Sequence, residues 1–349
     1  MKITRVGVDI AKSTFHVHGV DRHDHVQCEK KLKRHNWINW INWICEHVPT
    51  KAIIAMEACA GAHHWARVLQ RKGYTVRLIA AQYVKPYVKS NKNDKVDAQA
   101  ICEAAGRPSM RFVGIKTVQQ QDAQAIHRIR SERMKQRNAT ANQIRGLVGE
   151  YGIVAPLGLG KLRKAIPCWL EDADNALSEG FRAQLAELYE DLCRLDERVD
   201  QQDKRIKRSV NEDPLASKLM SLRGIGPLSA SALSIALADE SSFGKGRDFA
   251  ASLGLTPRQH STGGQDRLLG ISKRGDAYLR KLLVHGARAV IQYAKNREDE
   301  LSLWVNRLVE RKHKNVATVA LANKTARMAW AIAHSGEDYN PAKAAATPV

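Results

Sequence analysis

Residues 3–10 read ITRVGVDI and residues 52–57 read AIIAME. Each is a short apolar run that closes on a carboxylate, Asp9 or Glu57. Runs of this length and apolarity suit strands buried on both faces. Between them, TFHVHGV (14–20) alternates as a strand does, and VQCEKKL (26–32) reads as a third strand. Trp37, Trp40, Ile41 and Ile44 then recur at helical spacing. After AIIAME, the segment AHHWARVLQRKG (62–73) reads as a helix closed by Gly73, and YTVRLI (74–79) as another strand. The order is β-β-β-α-β-α-β and then helical, which makes an α/β unit with a mixed sheet.

Beyond it the pattern turns helical. Residues 117–148 read as one long polar helix carrying His127, Arg128, Arg130, Arg133, Lys135, Arg137 and Arg145. Gly152, Pro156, Gly158 and Gly160 break the chain, so 151–165 reads as a linker. Over 181–207, Leu185, Leu188, Leu192, Leu195, Val199, Gln202 and Ile206 step by alternating threes and fours. That is a heptad seam, read as a coiled coil that joins subunits; an intramolecular helix hairpin would use the same stripe. A third, mostly helical unit follows Pro214, with Ala- and Leu-rich helices at 276–293 and 316–333. The expected division is 1–150, an α/β domain; 151–212, linker and coiled coil; 213–335, a helical domain; and 336–349, a loose tail.

The 349 residues carry 56 Lys and Arg against 36 Asp and Glu, a formal net charge of +20. A basic excess of that size suits a polyanion, and nucleic acid is the first candidate. No apolar stretch approaches the roughly 20 residues of a membrane span. The opening MKITRVGVDI lacks the apolar core of a signal peptide. The expectation is therefore a cytoplasmic protein. Cys28, Cys45, Cys59, Cys102, Cys168 and Cys193 form no C-x-x-C pair. They read as buried, reduced thiols rather than a zinc site.

Three constellations carry chemistry. The first is acidic. Asp9 and Glu57 end strands that the proposed topology makes neighbours, and Asp94 and Asp97 in NDKVDAQAI share a helix face at i, i+3. Four carboxylates brought together repel, and a divalent cation relieves that repulsion. Hard oxygen ligands select Mg²⁺ or Mn²⁺. Asp94 and Asp97 also suit an ordinary helix start. The second constellation is RGIGPLSASAL (223–233), where Gly224 and Gly226 precede a helix whose N–H groups can hold a phosphate. With the basic charge it reads as a helix-hairpin-helix DNA contact; an ordinary capped turn looks similar. The third is LGLTPRQHSTGGQDRLLGISKRGDAYLRKLL (253–283), with Ser261 and Thr262 before a Gly-Gly pair and Arg258, Arg267, Lys273, Arg274, Arg280 and Lys281 around them. Arginines hold phosphates bidentately, and an activated serine is a nucleophile. From spacing alone, a simple polar turn is the better reading.

Taken together, GVDIAKSTFHV, MEACAGAHHWARVL, KNDKVDAQAI, RGIGPLSASAL, LGLTPRQHSTGG and GISKRGDAYLRKLL give the chain a resemblance over nearly its whole length. It resembles the DEDD-type transposases of the IS110 family, relatives of the Piv DNA invertases. The resemblance implies an N-terminal RuvC-like (RNase H-type) domain, a coiled coil and a C-terminal transposase domain. It places the acidic tetrad on Asp9, Glu57, Asp94 and Asp97, and the catalytic serine on Ser261, with Thr262 the neighbouring rival. It implies a Mg²⁺- or Mn²⁺-dependent site-specific recombinase guided by a noncoding bridge RNA whose loops pair with target and donor DNA. It further implies a phosphoserine link, a Holliday-junction-like intermediate, and composite sites in a dimer or tetramer working at the bacterial nucleoid. Arg128, Arg130, Arg133, Arg137, Gly224, Gly226, Arg258, Arg267, Lys273 and Arg274 are the expected nucleic-acid contacts.

The runner-up is a RuvC-like nuclease or junction resolvase that uses activated water and leaves Ser261 structural. VGVDIAKST faintly resembles the first phosphate loop of actin-type ATPases, but the second Asp-Gly loop and the adenosine motif of that class are missing from the sequence. A scaffold without catalysis would not need the complete acidic set. The base that would activate Ser261 stays open, with His260 and a metal-bound hydroxide both available.

Overall fold

The computed structural model describes residues 3–88, 93–239 and 242–341, the Trp37 side chain excepted. Residues 342–349 of the expected tail lie outside the described ones. Two compact units divide the chain: Met1–Gln119 with Ala238–Gly244, and Gln120–Leu237 with Lys245–Val349.

The first unit is built on β1 (Arg5–Ile10), β2 (Thr14–Val20), β3 (Val26–Lys33), β4 (Ile53–Glu57), β5 (Thr75–Ile79) and β6 (Phe112–Val113). They form one mixed sheet in the order β3-β2-β1-β4-β5-β6. The first three strands are an antiparallel meander, β1-β4 and β4-β5 are parallel, and β6 closes the edge antiparallel. The helices are α1 (Trp37–His47), α2 (Ala62–Arg71), the single turn α3 (Ala81–Val84) and α4 (Asp94–Ala105). The central strands behave as their composition requires: Val6, Val8, Ile54, Met56 and Leu78 are wholly buried. Trp40 stacks on Phe15 at 4.3 Å between ring centroids, and Trp65 meets both edge-on. The two-residue β6 is too short to show a pattern in sequence.

Gly7 sets how close α4 comes to the sheet. A Cβ at Gly7 would lie 2.2 Å from the Ala98 carbonyl oxygen and 2.5 Å from the Cys102 nitrogen. Only glycine lets a helix backbone rest on a strand at that distance. This contact fixes where the first turn of α4 stands over the end of β1.

The second unit is mostly helical. It contains α5 (Val118–Gly149), α6 (Leu159–Glu171), α7 (Glu179–Glu212), α8 (Pro214–Leu219), α9 (Pro227–Ala236), α10 (Gly246–Ser252), α11 (Ala277–Ala294), α12 (Glu300–Arg311) and α13 (Lys314–Ser335). A two-stranded hairpin, β7 (Pro257–Gln259) and β8 (Leu268–Ile271), interrupts them. Of the glycines expected to mark a linker over 151–165, Gly152 and Gly158 lie before α6 and Gly160 within its first turn; Gly158, in a positive-φ conformation, stands at its N-cap.

Part of the heptad seam is used within the chain. Leu185 and Leu192 are wholly buried within the single chain, and Val199, Gln202 and Ile206 nearly so. Leu185 and Leu192 share a core with Ala141, Ile144 and Val148 of α5 and with Leu162 and Ile166 of α6. Arg130 pairs with Asp203 and Arg137 with Asp196, so two turns forward along α5 answer two turns back along α7. Leu185 and Leu192 are thus covered by an intramolecular antiparallel packing, Leu188 and Leu195 stay half-buried, and α5 falls in the second compact unit. Leu192→Ala should therefore cost about 2–5 kcal/mol of stability. The measurement is thermal unfolding alongside light scattering. A lowered midpoint at unchanged oligomeric state is the expected result; dissociation at unchanged midpoint would restore the intersubunit reading.

The cysteines differ from expectation as well. Only Cys102 is buried; Cys45 and Cys168 are exposed, and all six are free. The two exposed ones lie on helix surfaces, where a small thiol is tolerated without being packed. No helix among the described residues is long and apolar enough to cross a membrane.

Candidate active site

The acidic cluster is assembled by the sheet and α4. Val8 of β1 pairs in parallel with Met56 of β4, which places Asp9 beside Glu57 at neighbouring strand ends. Asn93 caps α4, its side chain accepting from the Lys95 N–H, and Asp94 and Asp97 lie in the first turn. The helix-start reading of those two acids is therefore true, and Gly7 brings that same turn down onto β1. Asp9 feels all three partners. Its carboxyl is pushed up to about 6 by burial first, then by the negative charges of Asp97, Asp94 and Glu57.

Among the described residues, no three His, Cys, Asp or Glu side chains stand at the spacing of a ready-made ion site. The four carboxylates are neighbours in electrostatic reach, short of a closed coordination shell. Their donor chemistry still fits a divalent cation: hard oxygens only, four carboxylates, and one member held back from ionising by burial and then by the others.

His16 joins this site without a motif to announce it. It sits opposite Asp9 in the β1-β2 register, with its Nε2 3.6 Å from Asp94 Oδ2. Burial pushes its pKa down despite the pull of Asp94. The alternation of TFHVHGV carries the signal, because it fixes His16 and His18 on one face. His18 in turn lies 3.2 Å from Glu29, which holds Lys95.

The second unit holds Ser261 on the β7-β8 hairpin. The Gln265 N–H donates to the Thr262 carbonyl, and Gly263 and Gly264 between them both have positive φ. That is the requirement of a type I′ hairpin turn. The Gly-Gly pair therefore makes the tip. Thr262 bridges Gln265 and the His260 N–H donates to the Arg267 carbonyl, so Ser261 faces Asp266 across the ladder. Gln259, two residues earlier, shares that face. The three side chains meet there. Ser261 Oγ donates to Asp266 Oδ1 at 2.7 Å, and Gln259 Nε2 donates to Ser261 Oγ at 2.8 Å and to Asp266 Oδ1 at 2.9 Å. These bonds hold the Asp266 carboxyl below the usual range, with Ser261 contributing most. Strand alternation turns His260 and Thr262 to the other face. The sequence does not single out Gln259 and Asp266, because pairing across a hairpin needs the turn type, and an S-T-G-G run gives that only once its register is known.

Glycine packing anchors the hairpin. A Cβ at Gly254 would meet the Arg274 carbonyl at 2.3 Å, and one at Gly275 the Ser252 carbonyl at 1.7 Å. Arg258, Arg267, Lys273 and Arg274 are exposed around it.

The remaining expected contacts are placed differently from one another. Arg128 is exposed and Arg133 half-buried, whereas Arg130 and Arg137 are engaged with Asp203 and Asp196. His127 faces inward, 2.9 Å from Tyr278 Oη and 3.1 Å from Ser231 Oγ. Burial first, then Arg130, pushes its pKa down to about 4, so it is neutral at physiological pH. Gly224 packs backbone to backbone on Gly286 of α11, where a Cβ would lie 2.7 Å from the Gly286 oxygen. Gly226 is the N-cap of α9 and has open space around it.

Comparison with known proteins gives the family. A family model described as a transposase, the DEDD type of IS110 elements, matches residues 6–153. A second, described as the transposase IS116/IS110/IS902 family, matches residues 216–301. A probable family 20 transposase of Pseudomonas aeruginosa is 46% identical over 342 residues, covering 98% of this chain and 100% of its own length. The chain belongs to the IS110 family of transposases. The transposase for insertion sequence element IS1111A of Coxiella burnetii is 41% identical, over 96% of this chain and 90% of its own. That for IS1328 of Yersinia enterocolitica is 39% identical, over 97% and 99%. An IS110-family transposase is an enzyme of insertion-sequence transposition and takes DNA as its substrate. The mixed sheet that carries Asp9 and Glu57, with α4 carrying Asp94 and Asp97, is consistent with the DEDD, RNase H-like domain of that family.

Proposed function

We propose that this transposase is an RNA-guided, site-specific DNA recombinase that cuts and rejoins strands through a covalent phosphoserine link at Ser261. The observation that carries the reading is the exposed Ser261 hydroxyl, held near a hairpin tip in contact with the Asp266 carboxylate, on a segment that also carries exposed Arg258, Arg267, Lys273 and Arg274. Asp9, Glu57, Asp94 and Asp97 would hold Mg²⁺ or Mn²⁺. Such an ion neutralises charge on the nonbridging oxygens of a phosphodiester. Arg258, Arg267, Lys273 and Arg274 fix the backbone near the hydroxyl, and Arg128 and Arg133 on α5 add sequence-independent phosphate contacts. A covalent link conserves the phosphodiester's bond energy, so rejoining proceeds without ATP and through a Holliday-junction-like intermediate. Assembly as a dimer to tetramer on DNA rests on the family resemblance, since Leu185 and Leu192 of the α7 stripe are used within the chain.

The test is to sequence the RNA that copurifies with the protein, beside the DNA flanking its gene. One noncoding RNA from that flank, with segments complementary to donor and target, is the expected result. A random sample of cellular RNA would overturn the guide reading. In the same preparation, neutralising Arg128, Arg258, Arg267 and Arg274 together should weaken binding to all sequences. It should also flatten the slope of log K against log salt by about 0.7–0.9 for each phosphate that is no longer neutralised. An unchanged slope would remove those residues from the interface.

A further inference from the structure

We infer that Asp266 is the group that takes the proton from the Ser261 hydroxyl when that oxygen attacks phosphorus, with Gln259 as the second hydrogen-bond partner that aims it. The inference rests on the reading of Ser261 as nucleophile and supplies the base that the sequence left open.

The geometry is that of a nucleophile and its acceptor. A serine hydroxyl has one O–H to give and two lone pairs. Here the O–H is given to Asp266 Oδ1 at 2.7 Å. One lone pair receives the Gln259 Nε2–H at 2.8 Å. The other lone pair is left to face an incoming phosphate. Gln259 also donates to Asp266 Oδ1 at 2.9 Å, so the triangle is closed and the carboxylate cannot swing away without breaking two bonds. Nucleophile and base within about 2.6–3.2 Å, the base oriented by a third group, is the general signature of an activated hydroxyl.

His260 is poorly placed for the task, because its side chain alternates to the opposite face of the hairpin. Asp266 is a weak base at rest. The bonds from Ser261 and Gln259 hold it ionised and acceptor-only. It does not strip a resting alcohol. It receives the proton as the Oγ–P bond forms and the oxygen becomes acidic. In that step the Oγ–P bond forms, the bond from phosphorus to one strand's oxygen breaks with its electron pair staying on that oxygen, and the Oγ proton moves to Asp266. The departing strand ends as a hydroxyl, so the net proton passes from Ser261 through Asp266 to that strand. In rejoining, the strand hydroxyl attacks the phosphoserine, the Oγ–P bond breaks with its electron pair on Oγ, and the hydroxyl's proton passes through Asp266 to Oγ.

The experiment uses the full-length protein with its copurified RNA and a duplex carrying the DNA that flanks its gene, reading the covalent protein–DNA adduct on a denaturing gel. Asp266→Asn should slow adduct formation by about 10²–10⁴-fold while DNA retention is unchanged. Asp266→Ala should be slowed comparably, and added formate should raise its rate in proportion to concentration, because a small carboxylate can occupy the vacated place. A merely structural role would show no such rescue. Asp266→Asn at the wild-type rate, with Ser261→Ala inactive, overturns this inference and leaves the nucleophile reading standing. Loss of DNA retention in both Asp266 variants, without formate rescue, overturns it in favour of a structural role. An adduct formed by Ser261→Ala overturns both readings together.

Discussion

Ser261→Ala should abolish the protein–DNA adduct and lower recombination by about 10⁶-fold, the scale on which removal of a covalent nucleophile acts. DNA and RNA binding should be retained. The residue is exposed at a hairpin tip, so its loss leaves no cavity and no buried polar atom without a partner. The bonds it forfeits run to Asp266 and Gln259, which keep their own contact at 2.9 Å. Thr262→Ala should cost less than about tenfold, since its side chain points to the other face and its backbone, which serves the turn, is unchanged. The measurement is adduct yield by denaturing gel, followed by mapping of the DNA-linked peptide. A link through Thr262, or full recombination by Ser261→Ala, would show the register or the mechanism to be wrong. The water-activated nuclease reading separates here as well: it expects cleavage without adduct, and activity that survives Ser261→Ala.

The α/β unit was legible because its elements are short and strongly patterned. ITRVGVDI and AIIAME are buried on both faces, and no solvent-facing residue interrupts their strands. Once their parallel adjacency is granted, Asp9 and Glu57 must be neighbours. The arrival of Asp94 and Asp97 depends on a residue with no side chain, Gly7, whose meaning is apparent only when α4 lies on it. The helical part was legible in its elements and not in their partners. A stripe of Leu185, Leu192, Val199 and Ile206 says that something covers α7; α5 carries the matching Ala141, Ile144 and Val148 in a window whose overall polarity hides them. The same helix shows why charge counts mislead about surfaces. Arg130 and Arg137 look identical to Arg128 in sequence, yet Asp203 and Asp196 lie opposite two of the three. At Ser261, residue spacing favoured an ordinary turn, and the turn is real. What the spacing left out is that a type I′ turn sets Ser261 against Asp266.

Asp9→Asn should lower recombination by about 10³-fold or more and, in metal-free buffer at pH 7, raise the thermal midpoint of the protein. The first effect follows if the carboxylates hold the ion that offsets several kcal/mol of charge at the phosphate, each 1.36 kcal/mol being tenfold in rate. The second follows from the position of its pKa. In the fold Asp9 ionises at about 6, because of burial and then of Asp97, Asp94 and Glu57, against an ordinary value of 3.8. The fold therefore holds a proton that the unfolded chain has already released. Stability falls as pH rises from about 4 to about 6, and the loss is complete at pH 7. Asn carries no charge to be repelled, so the variant escapes that loss. At pH 4, where Asp9 is largely protonated in the fold, the two proteins should melt closer together. Adding Mg²⁺ or Mn²⁺ at pH 7 should raise the wild-type midpoint, since a ligand bound only by the folded state stabilises it, and should raise that of Asp9→Asn much less. Calorimetry with and without chelator reads all of these. Equal metal response in the two proteins would take Asp9 out of any ion site, and wild-type turnover in excess chelator would take the metal out of the reaction.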